Sequence, residues 1–131
     1  MIARARDRAQ RSGFRNARYV CADMLTFRPD TPVDAVVFAL SLTLVSDCAA
    51  CLEHARSLLR PGGKLVVLDS IPDPSRRLAN LAIRVKAPLV GANPSAVPLV
   101  WARSQLEDLR VEHHMGGIYT VISGRRPGGE A

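Results

Sequence analysis

Leu58-Leu59-Arg60-Pro61-Gly62-Gly63-Lys64-Leu65-Val66-Val67-Leu68-Asp69 is the stretch that decides the fold. Leu52, Ala55, Leu58 and Leu59 precede and enter it on one face at helical spacing. This predicts a helix ending at Arg60, because Pro61 lacks the N–H needed to continue it. Gly62 and Gly63 are expected to supply positive φ for a tight turn. Lys64 to Asp69 then runs apolar without alternation, as does a strand buried on both faces of a parallel sheet.

Outward from this stretch the pattern repeats. Ile2 to Arg11 reads as a helix with an Arg-rich solvent face, stopped at Gly13. Ala17 to Ala22 reads as a short strand ending at Asp23. Phe27 to Val33 carries Pro29, Asp30 and Pro32 and is loop. Val33 to Leu40 is a second continuous apolar strand, and Ser46 or Asp47 can cap the helix that follows. Ser75 can cap a helix to about Lys86, with Leu78, Leu81, Ala82 and Val85 on one face. Pro88 to Pro98 is irregular, and Leu99 to Leu109 is helical. Arg110 to Met115 and Ile118 to Arg125 form a hairpin about Gly116-Gly117. The expected fold is α/β with an antiparallel edge, one domain over 1–126 and a frayed tail over 127–131. Ligands of such sheets bind at the carboxyl ends of strands. Here those ends are Asp23, Ala39 to Thr43, and Asp69 to Ile71.

The 131 residues suffice for one core, and the formal charge is +6. Sixteen of the eighteen basic residues are Arg, in a chain also rich in Ala, Gly, Pro and Val. Basic and aromatic residues do not interleave, so solvated surface is favoured over a nucleic-acid site. Leu78 to Trp101 is too interrupted by charge and proline to span a bilayer. No secretory leader is read at Met1 to Ser12, and three cysteines make no disulfide scaffold. The expected location is cytoplasmic.

Cys48-Ala49-Ala50-Cys51 at a helix start, with His54 beyond, is the redox or metal candidate, since a helix N-terminus lowers a thiol's pKa. The angular spread from Cys48 to His54 is poor for one metal, however, and core filling is the favoured reading. No metal is expected. His113 and His114 alternate faces, so at most one faces a site; surface placement is favoured over a general base, and Tyr119 stands with them. The amphipathic run Arg76 to Leu89 reads first as a sheet-covering helix. A lid over a substrate pocket or a helix lying on an anionic membrane are its alternatives.

The element order resembles the later two-thirds of a class I S-adenosylmethionine-dependent methyltransferase. The nearest likeness is the small-molecule group that includes quinone-biosynthesis and phospholipid methyltransferases. Leu58 to Leu65 resembles that family's helix, Pro-Gly-Gly and fifth strand. Val33-Asp34-Ala35-Val36-Val37 resembles its fourth strand, and Ala22-Asp23-Met24 the end of its third. The terminal hairpin resembles its last two strands.

The resemblance implies S-adenosyl-L-methionine as cofactor, with Asp23 on the adenine amine and Met24 beside the ring. It also implies contacts at the strand end Ala39-Leu40. The acceptor would be a small or lipid-like molecule. The family's opening strand, Gly-rich loop and acidic second strand end find no counterpart: no Gly-x-Gly occurs before Gly62. Met1 to Arg6 resembles the helix just beyond them. The expectation is therefore an N-terminally truncated Rossmann-like sheet whose activity is compromised and whose unpaired strand edge favours self-association. The alternative is a non-enzymatic remnant or interaction module with a basic, nucleic-acid-binding surface.

Overall fold

The computed structural model describes residues 2–129. Met1, Glu130 and Ala131, the first and last residues of two sequence-based expectations, lie outside them. The helices are α1 (Ile2–Arg11), α2 (Cys48–Leu58), α3 (Arg77–Lys86) and α4 (Val97–Gln105). The strands are β1 (Val33–Ala39), β2 (Leu59–Asp69), β3 (Glu107–His114) and β4 (Tyr119–Arg125). They form one sheet in the order β1-β2-β4-β3. β1 and β2 run parallel, joined through α2. β4 lies antiparallel to both β2 and β3. This is the expected α/β sheet with a closing antiparallel hairpin.

α2 and α4 pack together on one face of the sheet. Leu52, Ala55, Leu65, Val67, Leu99, Ala102 and Ile122 are almost fully buried between them. The other face is open, which corrects the expectation of a doubly buried strand. Val66 and Leu68 of β2 are half-buried there, and their β1 neighbour Val37 is 63% exposed. A continuous apolar run shows that both faces suit burial; it does not supply the layer that would cover the second one.

The Pro-Gly-Gly stretch is a bulge inside β2. α2 ends at Leu58, not Arg60, and the β1–β2 register shifts between Val33–Leu59 and Ala35–Lys64. Gly62 holds φ 74° as expected. Gly63 does not have positive φ; it is there for space. A Cβ on it would meet the Arg60 carbonyl at 2.8 Å and the Asp34 carbonyl at 3.2 Å.

Four further expectations are corrected. Ala17 to Ala22 is not a strand: the chain from Ser12 to Pro32 has no helix or strand, and Val20 and Cys21 are exposed. Strand-forming side chains need a neighbouring backbone to pair with, and none lies beside this segment among the described residues. Ser75 does not cap α3, because its N–H and hydroxyl both donate to Asp73 Oδ1, at 2.9 and 2.8 Å; Arg76 occupies the cap position instead. The helix expected to end at Leu109 ends at Gln105, and β3 begins at Glu107 around a bulge where Asp108 takes φ 50°. α3 also turns the face expected to cover the sheet outward. Ala79 and Ile83 are buried, whereas Leu78, Leu81, Ala82 and Val85 are exposed.

Candidate active site

The exits of β1 and β2 meet at the carboxyl end of the parallel pair. Asp69 closes β2 and is 2% exposed. Its carboxylate accepts from the N–H groups of Leu42 (2.9 Å) and Thr43 (3.1 Å), from the Thr43 hydroxyl (2.9 Å) and from the Ser70 N–H (2.8 Å). Four donors satisfy a buried carboxylate that would otherwise be costly. They also fix the path of the chain leaving β1. Leu40 sits at that exit with φ 52°, its N–H donating to the Leu68 carbonyl at 2.8 Å. A left-handed leucine is strained, and such strain gathers at binding sites.

Asp23 makes a turn. Its Oδ1 accepts from the Leu25 N–H at 2.7 Å, and its carbonyl accepts from the N–H groups of Thr26 and Phe27 at 3.2 and 2.9 Å. This is an Asx-turn built from Asp23's own neighbours. It leaves the second carboxylate oxygen without a hydrogen bond among the described residues. Asp23 is exposed, and Met24 is half-buried against the core. Ala39 and Leu40 are both exposed at the end of β1.

α2 follows the exit of β1, after the 3-10 turn Leu42–Leu44. Asp47 caps it, accepting from the Ala50 N–H at 2.9 Å, as expected of one of two candidate caps. The thiols of its first turn are not activated. Burial pushes Cys48 up, with Cys51, Asp47 and Asp69 adding to the effect. Burial also pushes Cys51 up, followed by Asp47 and Asp23. The dipole that would have lowered these pKa values is outweighed by desolvation and three acidic neighbours. His54 is occupied elsewhere, its Nε2 lying 2.9 Å from the Phe27 carbonyl. No group of metal-ligating side chains forms among the described residues.

Beside Leu40 opens a cleft of about 270 Å³, lined on its polar side by Thr43, Asp69, Ser70, Lys86 and Tyr119. Apolar side chains such as Leu44, Ile83, Val90 and Ile118 make most of its wall. The 3-10 turn Ala87–Val90 after α3 lies over it, and the Asn93 N–H, donating to the Thr43 carbonyl at 2.8 Å, ties the following loop to the exit of β1. Lys86 Nζ lies 3.4 Å from the Tyr119 hydroxyl and 5.7 Å from its ring centre. Of the four expected cofactor residues only Leu40 reaches this cleft; Asp23, Met24 and Ala39 lie outside its lining. Sequence reasoning missed Lys86 as a cleft residue because the helix was assigned the opposite inward face.

The two histidines part as the alternation required. His114 is exposed; His113 is not at the surface as favoured. Its side chain is 16% exposed, with Nδ1 3.1 Å from the Thr120 hydroxyl and Nε2 3.3 Å from Asp73 Oδ2. Both ring nitrogens are thus engaged away from the cleft.

A methyltransferase-domain family model matches residues 1–106. The chain belongs to that methyltransferase-domain family. Among solved structures it is similar to the S-adenosylmethionine-dependent methyltransferase SibL, with a TM-score of 0.77 and 24% identity over 94% of this chain and 40% of that one. It is similar to the N-methyltransferase NodS from Bradyrhizobium japonicum WM9, solved with S-adenosyl-L-homocysteine, with a TM-score of 0.68 and 19% identity over 96% of this chain and 61% of that one. The [4+2]-cyclase SpnF is similar at a TM-score of 0.66 and 17% identity, over 98% and 64%. Identities this low show a shared fold alone. The chain spans 40% and 61% of the lengths of the first two structures. A search of the curated proteins finds no match.

Proposed function

We propose that the chain forms the adenine side and the acceptor side of an S-adenosylmethionine-dependent methyltransferase site. The observation that carries this reading is the mainly apolar cleft at the carboxyl ends of β1 and β2, in a chain of the methyltransferase-domain family. The Asp23 turn suits the cofactor, because its free carboxylate oxygen can accept from an exocyclic amine. Met24 would offer an adaptable apolar surface to the ring. Ala39 and Leu40 would carry backbone contacts between the two subsites. The cofactor, when bound, supplies an already activated methyl group.

What the chain adds is alignment in a water-poor cleft, and orientation alone supplies much of the rate in such transfers. The acceptor is an apolar small or lipid-like molecule, held against Leu44, Ile83, Val90 and Ile118, with its polar end toward Lys86 and Tyr119. The test is a titration of the ¹⁵N-labelled chain with S-adenosyl-L-homocysteine. Amide shifts confined to Met24, Leu25 and Ala39 to Ser41 are expected. Shifts elsewhere, or none at saturation of solubility, would remove these residues from the site.

A further inference from the structure

We propose that α3 and the turn after it dock the protein on an anionic lipid bilayer. At about 100° per residue, Leu78, Leu81 and Val85 fall on one stripe of α3. They are 87%, 61% and 67% exposed, and Leu89 on the following turn is 82% exposed. The helix needs none of them to hold its place, because Ala79 and Ile83 on the other side make its buried contact. Large apolar side chains left in water along one helix face are the mark of an interface rather than of a solvent surface.

Charge selects the occupant. From Pro74 to Leu106 the sequence has five basic residues and no Asp or Glu. Arg77 and Arg84 stand one side of the apolar stripe and Lys86 the other, the arrangement of a helix lying in the plane of a bilayer. Neither Arg77 nor Arg84 is paired with a carboxylate among the described residues. Together they rim a shallow recess that also takes in Pro74, Asn80 and Leu81. Guanidinium groups at a recess beside an apolar stripe fit phosphate headgroups above acyl chains. A protein partner would need its own acidic and apolar pattern; an anionic membrane supplies both layers everywhere. No helix among the described residues is long and apolar enough to cross a membrane, so the contact is peripheral. The same segment gives Ile83, Lys86 and Val90 to the cleft. If the cleft takes a lipid-like acceptor, as read above, docking would bring that acceptor to its mouth.

The experiment is flotation of the full chain with vesicles on a density gradient, where aggregated protein sinks and bound protein rises. Vesicles of phosphatidylcholine alone are compared with vesicles containing phosphatidylglycerol. The parent is expected to float about tenfold more with the anionic vesicles, and less as salt rises. The triple variant Leu78→Ser, Leu81→Ser, Val85→Ser and the double variant Arg77→Gln, Arg84→Gln should each lose most of this. Arg4→Gln with Arg8→Gln on α1 should not. Circular dichroism checks that each variant is folded. Equal loss in the α1 variant, or full binding by the triple-Ser variant, would reduce the effect to general charge and overturn the proposal. So would absence of flotation, or a dimer in sedimentation that Leu81→Ser dissolves. None of these outcomes depends on methyl transfer.

Discussion

At the residue scale, two adjacent glycines do different work. Gly62 has open space where a Cβ would stand but holds φ 74°. Gly62→Val is therefore expected to cost about 1–3 kcal/mol in backbone strain alone. In Gly63→Ala the new methyl must displace two backbone carbonyls, which cannot swing aside. Gly63→Ala should lower the melting temperature further than Gly62→Ala does; the reverse order would mean that the bulge is misdrawn. Asp69→Ala should cost about 2–4 kcal/mol in denaturant melts, because it leaves a set of donors at the exit of β1 unmatched. The Asp73 carboxyl is held below the ordinary range by the Ser75 N–H and hydroxyl, then by His113 and Arg103, against opposing burial. A carboxylate with a depressed folded pKa contributes stability above its unfolded value, and that stability is lost as pH falls through the folded value. Unfolding midpoints should therefore drop below about pH 4, and Asp73→Asn should flatten that drop. Nothing in Pro72-Asp73-Pro74-Ser75 announces that Asp73 takes the hydroxyl expected to cap α3.

At the element scale, the carboxyl end of α2 is closed from far along the chain. Arg126 Nη1 donates to the carbonyls of Arg56, Ser57 and Leu59. Its backbone also pairs with Gly62 and Gly63, at 3.0 and 2.8 Å. A cation on the last carbonyls of a helix meets both the unpaired acceptors and the dipole. Arg126→Gln should cost about 1–2 kcal/mol by thermal melting, whereas Arg125→Gln, on an exposed side chain, should cost less. A long-range contact of this kind has no local pattern, so the sequence marks Arg126 only as the last residue before the tail and gives no sign of its role at α2. β1, α2 and the later half of β2 were legible because apolar run, helical period and cap agreed with one another, whereas Pro-Gly-Gly forms a bulge inside β2 rather than the turn expected to open it. α3 was not: its small residues Ala79 and Ala82 straddle the two faces, and burial fell on the side with the smaller hydrophobic total. The cofactor roles of Asp23, Met24, Ala39 and Leu40 rest on resemblance; the strand end at Ala39-Leu40 is legible in the apolar run, whereas the Asp23 turn is visible only in the fold.

At the scale of the molecule, β1 is an edge strand beside an open sheet face. Such an edge pairs with whatever backbone reaches it. The chain 1–131 is expected to elute as larger than a monomer, and to bind S-adenosylmethionine no more tightly than about 1 mM, roughly 4 kcal/mol. A monomer with micromolar affinity would overturn this. The thiols give an independent check on the packing: Cys48 and Cys51 should alkylate slowly with iodoacetamide at pH 8, while the exposed Cys21 reacts freely. The strand order carries one more consequence, for the chain as it is synthesised. β4 is the last strand in sequence, yet it lies between β2 and β3. β3 therefore has no partner, and β2 has only one, until the ribosome has passed Arg125. Everything made earlier must wait as a parallel pair and loose helices, with the longest-range pairings forming last. Nascent chains halted before Tyr119 should stay protease-sensitive throughout, and protection should come in one step when β4 clears the exit tunnel.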